Sequence, residues 1–449
     1  MNFIQQLEGK KCLVLGAGVT GRAVQKALLN FGAKSVVFDE KPSNDDAVVN
    51  HVPEKIELAI VSPGWRLDHP VIKQLEINKV QIISEIDFAW EVKNVLAPTQ
   101  KWIALTGTNG KTTTIQMIES IFNQSGIKGR TCGNVGISVI EAVCTSEKMD
   151  FLAIELSSFQ IEWSNLARFE AIALLNISED HIDWHGSYEK YVQAKLKLVK
   201  LAKIVIANKS DHELSIRLKN SQVIWYSLTT PAPGELGLVE EILVDRAFGG
   251  SSDKAHEIAT LADINPPAPH NVSNALAAAA LMLTIGSDYA GIKKGLLSFI
   301  PDHHRMELVI EKDGVKWIDD SKATNADAAA ASLLSNFNVI WIAGGLAKGA
   351  NMDSLLAKCI DRIKIAILIG TDRGSIETAI NKYSKSIKIE KIDKKTDSIS
   401  FMNEIVKYAK SVAQPGDTVL LAPACASMDQ FRSYAERGEL FAAAVKRYA

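Results

Sequence analysis

One stretch constrains the fold of this chain more than any other: Ala104-Leu105-Thr106-Gly107-Thr108-Asn109-Gly110-Lys111-Thr112-Thr113-Thr114. The apolar run from Trp102 to Leu105 reads as a strand, and Ile115, Ile118, Ile121 and Phe122 recur behind the turn at helical spacing. A strand, a glycine turn and a helix N-terminus in that order build an anion site. The N–H groups of the turn converge, and the helix end adds partial positive charge. Gly107, Thr108, Asn109, Gly110, Lys111, Thr112 and Thr113 are therefore candidates to hold ATP, with Lys111 on the β/γ phosphates and the Thr112 hydroxyl on Mg²⁺. The spacing departs from G-x-x-x-x-G-K-[ST], because Leu105 stands where the first glycine belongs. Three β-branched threonines are poor helix formers, so a ligand explains their place at a helix start better than propensity does.

With about 150 residues per domain, a chain of 449 residues is expected to form three. The bounds read as 1–98, 99–300 and 301–449. Hydrophobic content of 47% and charged content of 23% are those of an ordinary globular protein. A net charge of −2 gives no electrostatic reason to expect nucleic acid or an anionic membrane as partner. Gln5, Gln6, Glu8, Lys10 and Lys11 interrupt any signal-peptide pattern, and the apolar run Ala275 to Ile285 falls short of the roughly 20 residues a bilayer requires. Cysteines 12, 132, 144, 359 and 425 form no C-x-x-C pair, which suits reduced thiols in a cytoplasm.

The first domain reads as strand Lys11 to Leu15, then Gly16-Ala17-Gly18-Val19-Thr20-Gly21 opening a helix through Leu29, then strand Ser35 to Phe38 ending at Asp39. This is a G-x-G-x-x-G fingerprint in context, with an acid about 20 residues on. It predicts a diphosphate at the helix N-terminus, near Gly18, Val19 and Thr20, and a ribose-type hydroxyl at Asp39. The nucleotide is NAD or another. Strand Leu58 to Val61 ends in Ser62-Pro63-Gly64, a further turn at the carboxyl edge, where ligands collect.

In the second domain, Gly133-Asn134-Val135-Gly136 makes a turn, and strand Phe151 to Ile154 ends in Glu155. An acid there, downstream of a phosphate loop, is where a Mg²⁺-binding carboxylate is expected. Strand Ala171 to Ile177 leads to Ser178-Glu179-Asp180-His181, with His185 beyond. Zinc at His181 and His185 lacks a third ligand at helical spacing, and one histidine beside Mg²⁺ is the better expectation. On a helix from Tyr188 to about Ala202, Tyr188, Tyr191, Val192 and Val199 share one face with Lys195 in its middle, while Lys190, Lys197 and Lys200 point away. Either Lys195 snorkels to the surface, or it faces a site and is paired or chemically modified. Residues 228–269 read as an irregular excursion. Asn271 and Asn274 then sit on one side of the first turn of an alanine-rich helix, to cap it or to bond a base edge.

Beyond Phe299-Ile300-Pro301-Asp302-His303-His304-Arg305, strands Val315 to Ile318, Val339 to Ala343, Ile365 to Ile369 and Thr418 to Leu421 alternate with helices. Polar residues gather at strand ends in 319–325, 344–348 and 424–427. The fold class expected is α/β throughout: Rossmann-like first and third domains around a central P-loop-type ATPase domain with a mainly parallel sheet. Connections at 97–100 and 299–303 suggest hinges, with the third domain closing on ATP.

Gly-Thr-Asn-Gly-Lys-Thr-Thr-Thr, Glu155-Leu-Ser-Ser-Phe-Gln160, Asn-x-x-x-Asp-His181, His304-Arg305, Asp320-Ser-Lys-Ala-Thr-Asn325 and Ala424-Cys-Ala-Ser-x-Asp-Gln-Phe431 together resemble the bacterial Mur ligases over nearly the whole chain. Within that family the motifs are most similar to the members that add D-glutamate. The L-alanine-adding members usually carry His where this chain has Asn109, and the Asp-Asn-Pro-Arg motif of the diaminopimelate-adding ones is missing.

The resemblance implies a cytoplasmic, monomeric ATP-dependent amide ligase of peptidoglycan precursor synthesis, with UDP-N-acetylmuramoyl-L-alanine and D-glutamate as substrates. It implies that Lys111, Glu155, His181, Lys195 and Lys322 serve catalysis. Thr112, Glu155 and His181 would place Mg²⁺, and a carbamylated Lys195 would bind a second Mg²⁺. Asn271, Asn274, Arg305 and Asp320 would bind adenine, ribose and phosphate. Lys322, Thr324, Lys348, Ser427 and Met428 would hold D-glutamate. Gly18, Val19, Thr20, Asp39, Ser62 and Gly64 would hold the uridine diphosphate, and Asn134, Ser157 and Gln160 the muramoyl portion. Two departures stand out: Leu346-Ala347 where an acid often precedes the lysine, and Glu40-Lys41 after Asp39. From the residues alone, a nucleotide switch leaves Lys195 and Lys322 without a task, and a dehydrogenase would use only the N-terminal fingerprint.

Overall fold

The computed structural model describes residues 1–40, 48–49, 51–249, 254–395 and 397–449. Lys41 lies outside them. Three sheets carry the fold. The first contains β1 (Lys11–Leu15), β2 (Lys34–Phe38), β3 (Val48–Val49), β4 (Leu58–Val61) and β5 (Gln81–Ser84), all parallel in the order β3-β2-β1-β4-β5.

The second holds β6 (Lys101–Thr106), β7 (Gly129–Gly133), β8 (Phe151–Glu155), β9 (Phe169–Leu174), β10 (Ala202–Asn208), β11 (Ile224–Tyr226), β12 (Leu236–Val239), β13 (Ile242–Asp245) and β14 (His256–Thr260). Their order is β14-β13-β12-β11-β10-β9-β6-β8-β7, antiparallel only in the last hairpins, β12 to β14. The third holds β15 (Glu307–Lys312), β16 (Val315–Asp319), β17 (Val339–Gly344), β18 (Ile363–Ile369), β19 (Lys388–Lys391) and β20 (Thr418–Leu421), ordered β15-β16-β20-β17-β18-β19 with only β15 antiparallel. Parallel strands bury both faces, and Trp102, Ile103, Ala104 and Leu105 of β6 are accordingly all buried.

Three expectations need correcting. Residues 228–269 contain β12, β13 and β14, strands of four or five residues between Pro and Gly, too short to show a period. The strand expected at 171–177 is β9, which ends at Leu174, because the backbone beyond it turns to meet the phosphate loop. The helix expected to reach Ala202 stops at Leu196 and tightens into a 3₁₀ turn, Lys197–Leu201.

The chain divides into two compact units, residues 1–177 with 184–300, and residues 178–183 with 301–449. The first two sheets thus share one unit, and buried carboxylates join them. Both oxygens of Asp87, on the helix Glu85–Leu96, accept backbone N–H groups, from Asn165 at 2.8 Å, Leu166 at 2.9 Å and Ala167 at 3.0 Å. Glu85 accepts from Ile140 N–H at 2.8 Å, and burial pushes its carboxyl up to about 7. Trp163 Nε1 donates to Trp65 O at 2.8 Å. Asp87→Ala removes the acceptor of three N–H groups at once. It is expected to lower unfolding free energy by about 3–5 kcal/mol in urea titrations, with Asp87→Asn less harmful.

Candidate active site

The turn after β6 is shaped by its neighbours. Thr108 N–H donates to Asn176 O at 2.9 Å and Asn109 N–H to Asn176 Oδ1 at 2.7 Å, while Asn176 Nδ2 returns a bond to Asn109 O at 3.0 Å. Asn176 is the first residue of Asn-x-x-x-Asp-His and brackets the loop from the end of β9, a role the sequence motif signalled without defining. Gly110 is left-handed (φ 82°), and a Cβ there would lie 2.4 Å from Asn274 Oδ1. The helix Lys111–Ser125 starts at that point with Thr112, Thr113 and Thr114 buried, so these threonines pack inward. The Lys111 ammonium donates to Gly107 O at 2.7 Å and Thr108 O at 2.8 Å, lying over the loop that would cradle phosphates.

Glu155 ends β8, opposite Leu105 in register with β6, and is 1% exposed. Asn134 Nδ2 donates to its Oε1 at 3.0 Å, while Oε2 is buried and has no hydrogen-bond partner. An orphaned carboxylate oxygen beside a phosphate loop suits a divalent cation. Lys195 is 2% exposed, so it does not snorkel. Its Nζ donates to Gly107 O at 2.9 Å and Thr106 Oγ1 at 3.3 Å, and lies 4.9 Å from the Tyr191 ring centroid. The Tyr191 hydroxyl meets Thr108 Oγ1 at 2.7 Å. Lys111, Thr112, Glu155 and Lys195 thus gather around one loop.

Asn271 and Asn274 are buried inside the helix Pro269–Thr284, whose N-cap is Ala268, so neither caps it. Asn271 Nδ2 bonds Pro266 O at 3.2 Å. Ser157 and Gln160 form a capping box on the helix Ser158–Trp163. His185 is a core residue, bonded to Ser158 Oγ at 3.0 Å among Phe159, Trp184 and Tyr191. His181 (φ 52°) belongs to the segment grouped with the second unit, where its N–H takes Asp180 Oδ1 at 2.9 Å.

In the N-terminal sheet, Asp39 Oδ2 accepts Ala17 N–H at 2.7 Å and so fixes the glycine turn itself. A Cβ at Gly21 would fall 1.8 Å from Gly16 O, and one at Gly16 would fall 2.9 Å from Ser62. Gly18, Val19 and Gly64 are exposed, and Thr20 and Ser62 half-buried, along this edge. Glu40 pairs with His69 at 3.2 Å.

In the second unit Asp320 is buried, accepting from Met306 N–H at 3.2 Å and from the Ser332 hydroxyl. Burial pushes its carboxyl up to about 6, and the nearby Arg305 guanidinium opposes the rise. Lys322 Nζ lies 3.7 Å from Asp302 and 5.2 Å from the Tyr434 ring centroid. Three loops are stitched together: Ala424 N–H to Ala323 O at 2.9 Å, and Leu346 with Ala426 in a two-way bridge. They carry Lys322 and Thr324, exposed Lys348 in a left-handed conformation (φ 52°), and buried Ser427 beside exposed Met428.

No acid precedes Lys348, but Asp372 Oδ2 accepts Ala347 N–H at 2.8 Å. Arg437, missed in the sequence, is fully buried and donates to Ser321 Oγ and Ser321 O, each at 2.9 Å, and to Cys425 O at 3.3 Å. Among the described residues, the one group of three side chains placed to hold a metal is His304, Glu307 and Asp319. His304 Nδ1 already bonds Asp319 at 2.7 Å, which holds the imidazole above its usual pKa.

A phosphate loop facing a buried carboxylate and a buried lysine, on the second of three α/β sheets, defines a nucleoside-triphosphate-using enzyme. The sequence model of the Mur ligase middle domain matches residues 105–282, and that of the Mur ligase glutamate ligase domain matches residues 304–425. The UDP-N-acetylmuramoylalanine–D-glutamate ligase of Thermobifida fusca is 41% identical over 99% of this chain and 100% of its own. That of Streptomyces coelicolor is 40% identical over 98% of each. Among solved structures, the UDP-N-acetylmuramate-alanine ligase MurC of Thermotoga maritima has a TM-score of 0.59 at 18% identity, covering 98% of this chain and 99% of its own. MurF of Thermotoga maritima in complex with ADP has 0.58 at 17%, covering 100% and 98%. These two speak to fold alone. The chain belongs to the Mur ligase family, on the branch of the UDP-N-acetylmuramoylalanine–D-glutamate ligases.

The buried Asp320 predicts a pH signature. An unfolded chain releases this proton near 3.8 and the folded one near 6. Between those values the folded state binds the extra proton, so stability falls as pH rises, by about 3 kcal/mol in all. Asp320→Asn should remove this slope between pH 4 and 6 in denaturant titrations.

Proposed function

We infer that the chain is an ATP-dependent ligase that adds D-glutamate to UDP-N-acetylmuramoyl-L-alanine in peptidoglycan precursor synthesis, releasing ADP and phosphate. The observation that carries this reading is the group formed by the 107–112 loop, half-buried Lys111 and the buried Glu155 and Lys195, in a chain whose full length matches D-glutamate ligases.

The L-alanine carboxylate attacks the γ-phosphorus of ATP, the β–γ bridge breaks, and ADP leaves with an acyl phosphate formed. The D-glutamate amine then attacks the acyl carbon. The resulting tetrahedral intermediate expels phosphate, and the amine gives up a proton. The loop N–H groups and Lys111 hold the transferring phosphoryl group in place and balance its charge, the larger part of catalysis in such transfers. Mg²⁺ would supply charge neutralisation at the phosphates. Thr112, Glu155 and His181 would hold it, and the orphaned Glu155 Oε2 fits that task.

Lys195 is carbamylated in this reading: its neutral amine adds to CO₂, an N–C bond forms and a proton departs. The product is a carboxylate able to hold a second Mg²⁺. What supports this is the place of the Lys195 amine, 2% exposed and set against the Gly107 carbonyl, the Thr106 hydroxyl and the Tyr191 ring on the same loop that Lys111 overlies. Asn271, Asn274, Arg305 and Asp320 take the nucleoside and phosphates. Lys322, Thr324, Lys348, Ser427 and Met428 take D-glutamate, a dianion that needs cations and donors. Gly18, Val19, Thr20, Asp39, Ser62 and Gly64 take the uridine diphosphate, with Asn134, Ser157 and Gln160 on the muramoyl portion. The lobes 1–98, 99–300 and 301–449 divide this work, in a cytoplasmic monomer.

A coupled ADP-release assay with a panel of amino acids should respond to D-glutamate and need the UDP substrate; phosphate release indifferent to D-glutamate would sink the reading. Lys195→Ala should lower kcat at least about 100-fold while calorimetry shows ATP affinity little changed. ¹³CO₂ should give a carbamate NMR signal in the parent protein and none in this variant.

A further inference from the structure

Away from the phosphate loop, the first unit holds a cavity of about 710 Å³, within the size range of small-molecule sites. One wall is the turn after β4, with Arg66, Leu67 and Asp68. The other is the helix Tyr188–Leu196 and its 3₁₀ extension. Lys190, Gln193, Ala194 and Lys197 line it at spacings of three, four and seven, which is one helix face. Tyr191 and Lys195 leave the same helix on the side that meets Thr108 and Gly107. The cavity and the phosphate loop are therefore on opposite faces of one helix.

The lining has a definite chemistry. Leu67, Ala194, Leu196 and Trp184 supply apolar lining. Four cations, Arg66, Lys190, Lys197 and Lys200, face it against two carboxylates, Asp68 and Glu162, in a chain whose own net charge is −2. Two of the cations are engaged, Arg66 with Asp68 at 2.9 Å and Lys197 with Glu162 O at 2.6 Å. Lys190 and Lys200 are exposed and have no carboxylate partner among the described residues. A pocket with apolar lining and two exposed ammonium groups that have no carboxylate partner among the described residues suits an amphipathic anion.

We propose that this cavity is a second ligand site, for a small anion with an aromatic or apolar body, and that its occupancy is felt at the phosphate loop through the shared helix. None of its lining residues is among those assigned above to ATP, the UDP substrate, D-glutamate or metal, although Trp184 Nε1 donates to Gly64 O at 3.1 Å and so makes the cavity a neighbour of the proposed UDP site. A ligand here presses on the helix that carries Tyr191 and Lys195, and a shift of that helix alters the bonds to Thr108 and Gly107.

The test uses the full chain and the fluorescent sulfonate 8-anilinonaphthalene-1-sulfonate. Titration should show one saturable site, weakened at least about tenfold in the double variant Lys190→Glu/Lys200→Glu, whose ligation rate without the probe is unchanged. Bound probe should lower kcat of the parent protein without raising KM for ATP or for the UDP substrate. Binding that ignores the charge reversal, or that UDP-N-acetylmuramoyl-L-alanine displaces competitively, overturns the proposal. Binding that leaves kcat untouched overturns its coupling to the loop. Each of these outcomes leaves D-glutamate ligation standing, since that is read separately in the double variant.

Discussion

The first unit depends on the parallel pairing of β6 with β8 on one side and β9 on the other. That register sets Leu105 opposite Glu155 and Thr106 opposite Leu174, so three chain segments leave the sheet at one edge. The consequences follow from short-range bonds. Leu156 N–H donates to Leu105 O at 2.9 Å, and Thr106 Oγ1 donates to Leu156 O at 2.8 Å. These bonds lock the carboxylate strand to the loop strand. Asn176, arriving from β9, then brackets Thr108 and Asn109. A side chain at Gly107 would meet Leu175 Cβ at 2.9 Å and Asn109 O at 3.0 Å, so the loop admits only glycine there. Slipping β8 by one residue would turn Glu155 to the other face of the sheet and dismantle the site.

Each unit orders its loops with a buried cation set among carbonyl groups. In the first, Lys195 spans Thr106 and Gly107. In the second, Arg437 spans Ser321 and Cys425, and burial lowers its pKa to about 10. The two differ in what they can become. A guanidinium has five donors in a rigid fork, and here it holds two loops at once through three of them. An amine loses its proton more readily when buried and can then act as a nucleophile toward CO₂. The lysine therefore stands where chemistry is proposed, and the arginine where the loops at Ser321 and Cys425 are held together.

Much of this was legible in the sequence because it was local. The strand, turn and helix around Lys111 follow from apolar runs and glycine, and the place of Lys195 follows from counting 100° per residue along its helix. The acid at the end of β8 could be read the same way. What was not legible depends on distant partners. Arg437 lies 116 residues from Ser321, and nothing near it in the chain marks it as buried. The strands β12 to β14 are stabilised by an edge they join, with no pattern of their own. Asn271 and Asn274 left open whether they cap their helix, and the N-cap at Ala268, set by partners outside the local sequence pattern, answers that part alone.

In the function proposed above, Asn134, Ser157 and Gln160 carry two burdens, one within the fold and one toward the muramoyl portion. In the structure Ser157 and Gln160 satisfy each other across a helix start, and Asn134 orients Glu155 through Oε1. Because that bond occupies one carboxylate oxygen, the other remains for the cation proposed above, and Asn134 helps set the direction it faces. A substrate group that drew the Asn134 amide toward itself would loosen Glu155 at the moment the metal was needed. Under that proposal the muramoyl portion would be better met by the Asn134 carbonyl oxygen than by its NH₂, which is engaged with Glu155. Holding the acceptor substrate and aiming the metal carboxylate are then compatible in one side chain, since an amide offers a donor and an acceptor on opposite branches.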